Sequence, residues 1–385
     1  MLSKRERPAV AFHVIGGLGD HLLSARFIRD FATTAGPIKF DIYTKRPALA
    51  EWVFQDVPGI ANILHVSSDI KWLRRQYVLF MDAIGYLAVR HADPKRLTKP
   101  GHERLQRLHQ STLEHVPKLR KFTRLHPDLD GYLGHYVATK GFKRHNFLHH
   151  MAGIDYPGDT LSLPTDEDAL QTFGLAGKPY ITVSNGYDDA TEVPPGQVVT
   201  KVYPFHAEVV SRLKRDYPGL TVVQIGAGNS TPIDTADFSL VGKTTLSQAA
   251  ALIQHAQFHL DNEGGLVHLA RALGTRCCVV FGPTLPSYFG YEANLNIAPR
   301  ECGACWWMEG RWMTHCVKGS ALPPCMYTQS PLDVVAQIEQ TFAAQLHALR
   351  GSGARTSATI PISIQSPLPA PPQASPAMAR TSHKL

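Results

Sequence analysis

No stretch of the 385-residue chain approaches the run of about 20 apolar residues that a membrane-spanning helix requires. A helical integral membrane protein is therefore excluded. Charge is sparse as well: Asp, Glu, Lys and Arg make up 18% of the residues against 44% hydrophobic ones, the balance of a globular chain. The apolar stretch after the first basic residues is short, contains His13 and runs into glycines, unlike a secretory leader, so a cytoplasmic location is expected.

Two nucleotide signatures each lack a glycine. Leu22 occupies the third glycine position of a dinucleotide fingerprint begun by Gly17-Leu18-Gly19, and Asp237 stands where a P-loop ending in Gly242-Lys243-Thr244 needs its first glycine. These gaps weigh against an ATPase cradle and against a dinucleotide-dependent oxidoreductase using Asp41 as its ribose acid.

The length present suits two domains, each able to bury a core. Strand patterns at 9–15, 38–43, 63–66 and 78–81 alternate with helical spacing, as in Leu22, Leu23, Phe27, Ile28 and Phe31. The rhythm restarts at 180–184, with strands at 221–225, 258–260 and 277–281 and helices at 205–216, 246–255 and 266–273. Such alternation implies parallel sheets, hence an α/β fold of two Rossmann-like domains. The first domain is expected over residues 1–155, with a helical insertion at about 86–152 that is interrupted by Pro94, Pro100, Pro117 and Pro127 and shows no obvious buried strand. A linker at 156–178, a second domain at 179–330 and a C-terminal helix at 331–350 opened by Pro331 follow. Residues 351–385, rich in Pro, Ser, Ala and Thr, hold too little apolar surface to offset ordering entropy, so a disordered tail is expected.

The 39 Lys and Arg against 32 acids give a net charge of +7. Between Ile84 and His150 the ratio is 13 to 5, with 9 of the 19 histidines. A basic surface of that kind suits phosphorylated ligands, an anionic membrane surface or nucleic acid, and reads equally well as a solvated helical face.

Three segments carry chemistry. Glu263-Gly264-Gly265-Leu266-Val267-His268 lies between a strand and a helix, where glycines let a ligand approach the backbone and free amides can meet a diphosphate; a tight turn with a core histidine is the alternative. Of the acids there, Glu263 is the expected ribose partner. Asp20, at the mouth of a β-α loop, suits a general base for a hydroxyl, or else caps its helix. Cys302-x2-Cys305-x10-Cys316-x8-Cys325 supplies four thiols within 24 residues, a pattern that favours a tetrahedral structural iron or zinc site over disulfides.

The run from His259 through Asp261-Asn262-Glu263-Gly264-Gly265-Leu266-Val267-His268 to Gly274, followed by Phe281-Gly282-Pro283-Thr284, resembles the heptosyltransferase family, glycosyltransferase family 9. Glu263-Gly264 stands where that family usually has Asp-Thr. Leu240-Val241-Gly242-Lys243-Thr244-Thr245-Leu246 is similar to its Gly-Lys-Thr-Ser-Leu segment, Lys201-Val202-Tyr203-Pro204 to its Lys-x-Trp-Pro, and Gly19-Asp20 to its N-terminal Gly-Asp. The cysteine segment is similar to the iron-binding finger of the bacterial autotransporter heptosyltransferases, a branch that modifies protein.

The resemblance implies a GT-B architecture with the last helix crossing back, and an inverting transfer of a sugar, expected to be heptose from ADP-heptose. Asp20 is then the catalytic base. Lys201, Lys243, Thr244, Thr245, Leu246, Glu263, Gly264, Gly265 and His268 are the expected donor-binding set, and Cys302, Cys305, Cys316 and Cys325 the metal ligands. No catalytic metal is expected. The expected partners are a nucleotide-sugar donor and an acceptor, protein rather than lipopolysaccharide glycan, with peripheral contact to the inner membrane and a homo-oligomer both allowed. A zinc-ribbon nucleic-acid-binding protein is the rival of another class, but few basic residues lie between Cys302 and Cys325, and no nucleic-acid partner is expected.

Overall fold

The computed structural model describes residues 8–123, 131–188, 191–347 and 349. Two sheets organise them. The first is built from β1 (Val10–Val14), β2 (Phe40–Thr44), β3 (Ile60–His65), β4 (Leu79–Ala83) and β5 (Leu87–Ala92), in the order β3-β2-β1-β4-β5. The second comprises β6 (Tyr180–Val183), β7 (Thr221–Gln224), β8 (Phe238–Ser239), β9 (His259–Asn262), β10 (Cys277–Val280) and β11 (Leu295–Ile297), in the order β11-β10-β9-β6-β7-β8. Every pairing is parallel except β4 with β5. Central strands such as β2, β4, β6 and β10 are buried along their whole length, as parallel strands covered on both faces must be.

The strand order reverses between β1 and β4 in the first sheet and between β6 and β9 in the second. Crevices outside the carboxyl ends of strands at such switch points are where open α/β sheets bind ligands. The helix Leu18–Ala35 follows β1 and the helix Gly265–Ala272 follows β9, and the two pack on each other at their N-terminal ends. Glycine is required there. A Cβ on Gly19 would come within 2.6 Å of the His268 ring, and one on Gly265 within 3.1 Å of Leu18.

Several expectations need correction. The stretch 86–152 does hold a strand, β5, which pairs antiparallel with β4 at the sheet edge. Being half-exposed and mixed in polarity, it lacks the continuous apolar run that marks its neighbours. Pro117 does not interrupt the insertion's main helix, Glu103–Thr123, but lies inside it. Pro94 opens the short helix Pro94–Leu97, whose cap is Asp93, accepting from the Arg96 amide at 3.1 Å. The linker holds the helix Asp168–Thr172. The edge strands β8 and β11 are too short to give a periodic signal.

The C-terminal helix divides into Pro331–Thr341 and Ala343–His347 about Phe342, which stacks on Phe258 with ring centroids 4.3 Å apart. Val334, Ile338 and Leu346 share a core with Ile181 and Leu260 of the second sheet. The last helix therefore packs on its own half rather than crossing back to the first. Residues 351–385 lie outside the described residues. Among those described, no helix is long and apolar enough to cross a membrane.

Candidate active site

The ends of β1 and β9 open onto one cleft, a cavity of about 700 Å³ walled by both halves. Its volume is of the size that takes a small-molecule ligand with several polar contacts.

On the first wall, Asp20 sits in the opening turn of the helix Leu18–Ala35, where its Oδ2 accepts from the Gly17 amide at 3.1 Å. The other oxygen accepts from Arg144 at 2.5 Å, and Arg144 also donates to the Ile84 carbonyl. Arg144 comes from the helical insertion and its side chain is buried. Burial opposes its charge, but Tyr288, Asp20 and Glu263 outweigh that and raise its pKa. The guanidinium is therefore a fixed cation beside the carboxylate. Asp20 keeps free lone pairs on both oxygens, faces the cleft and can accept a hydroxyl proton.

On the second wall, Glu263 directly follows β9 and is buried between two partners, Lys201 at 3.5 Å and His268 at 3.7 Å. Burial alone would raise its pKa, yet Lys201 and His268 bring it down to about 2. The His268 orientation is set from behind. Tyr291 Oη accepts from Arg26 at 2.7 Å, which leaves the phenol hydrogen for His268 Nδ1, also at 2.7 Å. In its neutral form the imidazole then carries its proton on Nε2, the nitrogen that faces Glu263. Arg26 belongs to the first half, so the chain Arg26, Tyr291, His268, Glu263, Lys201 joins the two halves to the ligand-facing wall.

The loop bearing Lys201 is tied down on both sides. Tyr203 donates its amide to Asn262 Oδ1 at 2.6 Å, while Thr200 donates its amide to the Met313 carbonyl at 2.8 Å and its hydroxyl to the Trp312 carbonyl at 2.6 Å. The cysteine segment thus supports this loop, and Trp306, Trp307 and Trp312 reach the cleft themselves.

Of the expected donor-binding set, Lys201, Thr244, Thr245, Leu246, Glu263, Gly264, Gly265 and His268 line the cleft, as does Asp20. Lys243 does not. Its exposed ammonium donates to the Ser239 carbonyl at 2.9 Å, outside the cavity. The Thr245 hydroxyl accepts from the Gln248 amide while Gln248 accepts from the Thr245 amide, so this side chain is occupied as a helix cap. Glu263, expected to meet a ribose, is engaged by Lys201 and His268. Sequence reasoning missed Arg144, Tyr288 and Tyr291. Arg144 was one basic residue among many in the insertion, and its pairing with a carboxylate 124 positions away leaves no local signal.

All six cysteines are free. Burial, and to a lesser degree the charges of Cys302, Cys305 and Cys316, push Cys325 up to about 12. Among the described residues, however, no three His, Cys, Asp or Glu side chains are already disposed as a metal cage.

Residues 223–312, which carry the β9 loop and both Cys302 and Cys305, match the model of glycosyltransferase family 9 (heptosyltransferase). That match supports a glycosyltransferase activity for the chain. Solved structures share the GT-B fold at low identity. The E. coli ADP-heptose lipopolysaccharide heptosyltransferase II is 15% identical with a TM-score of 0.51, over 87% of this chain and 99% of that one. A family 9 glycosyltransferase from Veillonella parvula is 16% identical with a TM-score of 0.53, over 87% and 97%. The iron-containing dodecameric glycosyltransferase TibC from enterotoxigenic E. coli is 16% identical with a TM-score of 0.56, over 89% and 77%. TibC has also been solved with ADP-D-β-D-heptose. No curated protein sequence matches the chain significantly.

Proposed function

We propose that the protein transfers a heptose from ADP-heptose to an acceptor hydroxyl with inversion at the anomeric carbon. The observation that carries this reading is the facing of Asp20 against Lys201 and the Gly264-Gly265 turn across one cleft, each at a switch point of its sheet. Asp20 takes the acceptor proton as the acceptor oxygen bonds to the anomeric carbon. The bond from that carbon to the diphosphate breaks on the opposite face, and the electron pair leaves with the nucleotide. Lys201 and the amides of Gly264 and Gly265 receive the departing charge, an effect worth several kcal/mol in preorganised sites. One displacement step gives inversion. Glu263, held by His268, orients Lys201, and Thr244 and Leu246 contact the donor nucleotide. Charge supplied by these groups meets the need at the diphosphate without a metal ion.

ADP-heptose is the donor in the names of two structural neighbours, which supports this donor here. The four cysteines favour a protein acceptor over a lipopolysaccharide glycan. In this reading Cys302, Cys305, Cys316 and Cys325 hold a structural iron or zinc ion, which supplies cohesion to the segment and no chemistry. Two features support the fit: the raised pKa of Cys305 and Cys325, caused by burial and the neighbouring thiols, which a cation would relieve, and the left-handed backbone at Ala304 (φ 58°) inside the Cys302-x2-Cys305 turn. Elemental analysis of the purified chain tests it, with about one metal per chain expected. The proposed setting is cytoplasmic, peripheral to the inner membrane, and a homo-oligomer is consistent with the dodecameric TibC. A thermal-shift screen of nucleotide sugars tests the donor: ADP-heptose should stabilise the protein more than UDP- or GDP-sugars do, and equal or absent shifts would count against it.

A further inference from the structure

Trp307 is a bulky residue with φ at 52°, in the left-handed region that side chains of its kind rarely adopt. Such strain persists only where surrounding contacts enforce it, and here it accompanies an aromatic ring lining the cleft. Trp312 lies behind it, ring centroids 5.9 Å apart, and its buried indole N–H has no acceptor among the described residues.

The position of this pair within the cleft is fixed from both ends. At one end the Trp312 and Met313 carbonyls hold Thr200, the residue before Lys201. At the other, the neighbouring Trp306 stacks on Tyr288 at 5.8 Å, and Tyr288 adjoins Arg144, which grips Asp20. The insertion locks the segment in place: His135 donates to the Ala304 carbonyl at 2.7 Å, and a Cβ on Gly131 would fall 2.0 Å from the Trp306 carbonyl. The tryptophans therefore wall the space between the base and the phosphate-facing lysine.

We infer that Trp307, backed by Trp312, is a stacking platform for the pyranose ring of the donor, so that the cysteine segment supplies one wall of the sugar subsite. The inference rests on the glycosyltransferase reading above. The ring that lies between Asp20 and Lys201 must be the one bearing the anomeric carbon, because the nucleobase is separated from that carbon by a ribose and a diphosphate. The C–H face of a pyranose carries partial positive charge and complements the negative face of an indole. A protein acceptor contributes no such ring.

Calorimetry with two probes, ADP and ADP-heptose, tests the platform. Trp307→Ala should weaken ADP-heptose about tenfold and leave ADP unchanged, and Trp307→Tyr should recover most of the loss. Trp307→Gly, which accepts the left-handed backbone freely, should behave as the alanine variant does and guards against a folding defect. Equal weakening of both probes, or no weakening of ADP-heptose, would overturn the inference. If the wild-type protein binds neither probe, the glycosyltransferase reading itself fails, an outcome distinct from either.

Discussion

The Asp20 carboxylate and the Arg144 guanidinium meet at 2.5 Å across the join between the helix Leu18–Ala35 and the helical insertion. Arg144 thereby fixes the direction of the carboxylate proposed as the base. Its loss would leave the Ile84 carbonyl without this donor and Asp20 held by the Gly17 amide alone. Arg144→Met should lower turnover by about ten- to a hundredfold with the donor Kd little changed, whereas Arg144→Lys should recover part of the rate. Single-turnover rates beside calorimetric binding check this; a donor Kd that moves as much as the rate would assign Arg144 to the donor instead.

Lys201 and Glu263 are coupled through burial. Removing Lys201 takes away the proposed phosphate contact and leaves Glu263 as a buried carboxylate with a weaker set of partners. Lys201→Ala should therefore raise the donor KM by about tenfold and lower stability by roughly 2–4 kcal/mol. Adding Glu263→Gln should restore stability without restoring donor affinity. A denaturation series on the single and double variants decides, and additive losses would refute the coupling.

Tyr291 holds the tautomer of His268. Tyr291→Phe deletes the hydroxyl that His268 Nδ1 accepts from, so the proton should redistribute between the two nitrogens. Nitrogen NMR of the histidine ring reads this directly, as a shift of Nδ1 away from the acceptor type. The donor KM should rise several-fold in the same variant while the Asp20-dependent step keeps its pH profile. An unchanged ring spectrum would show that Tyr291 does not set the tautomer.

Two buried histidines give the protein an acid limit. His206 donates Nδ1–H to the Tyr203 carbonyl at 2.8 Å, and burial lowers its pKa to about 4; burial likewise lowers His145 to about 3. The unfolded chain binds these protons first, near pH 6.5, so stability is fully present above that value. It falls as the pH drops from there toward 4, by roughly 3 kcal/mol for His206 alone. His206→Asn, which keeps a donor for the Tyr203 carbonyl, should flatten the profile over this window. Urea melts between pH 7 and 4.5 measure it, and a variant as acid-sensitive as the wild type would exclude His206 as a cause.

Much of this molecule is legible in the chain. Central strands declare themselves because they are buried on both faces, and the turns after β1 and β9 because glycines must stand where Gly19 and Gly265 let two helices meet. Edge strands such as β5 and β11 escape because a short or half-exposed strand needs no regular pattern. Lys201 and Glu263 were visible as members of motifs, but their pairing was not, since ion pairs between distant loops follow from packing. Lys243 shows the converse: its motif is intact, yet the side chain turns back to the Ser239 carbonyl. Arg144 and Tyr291 lie outside any motif and acquire meaning only once the insertion and the β10–β11 connection close over the cleft.

In the proposed reaction Asp20 is the base and the opposite wall holds the donor. The most direct test of this arrangement measures ADP-heptose binding and heptose transfer side by side in Asp20→Ala. Transfer should fall by at least about a thousandfold while the donor Kd stays within about twofold of wild type. Transfer at the wild-type rate in that variant would contradict it.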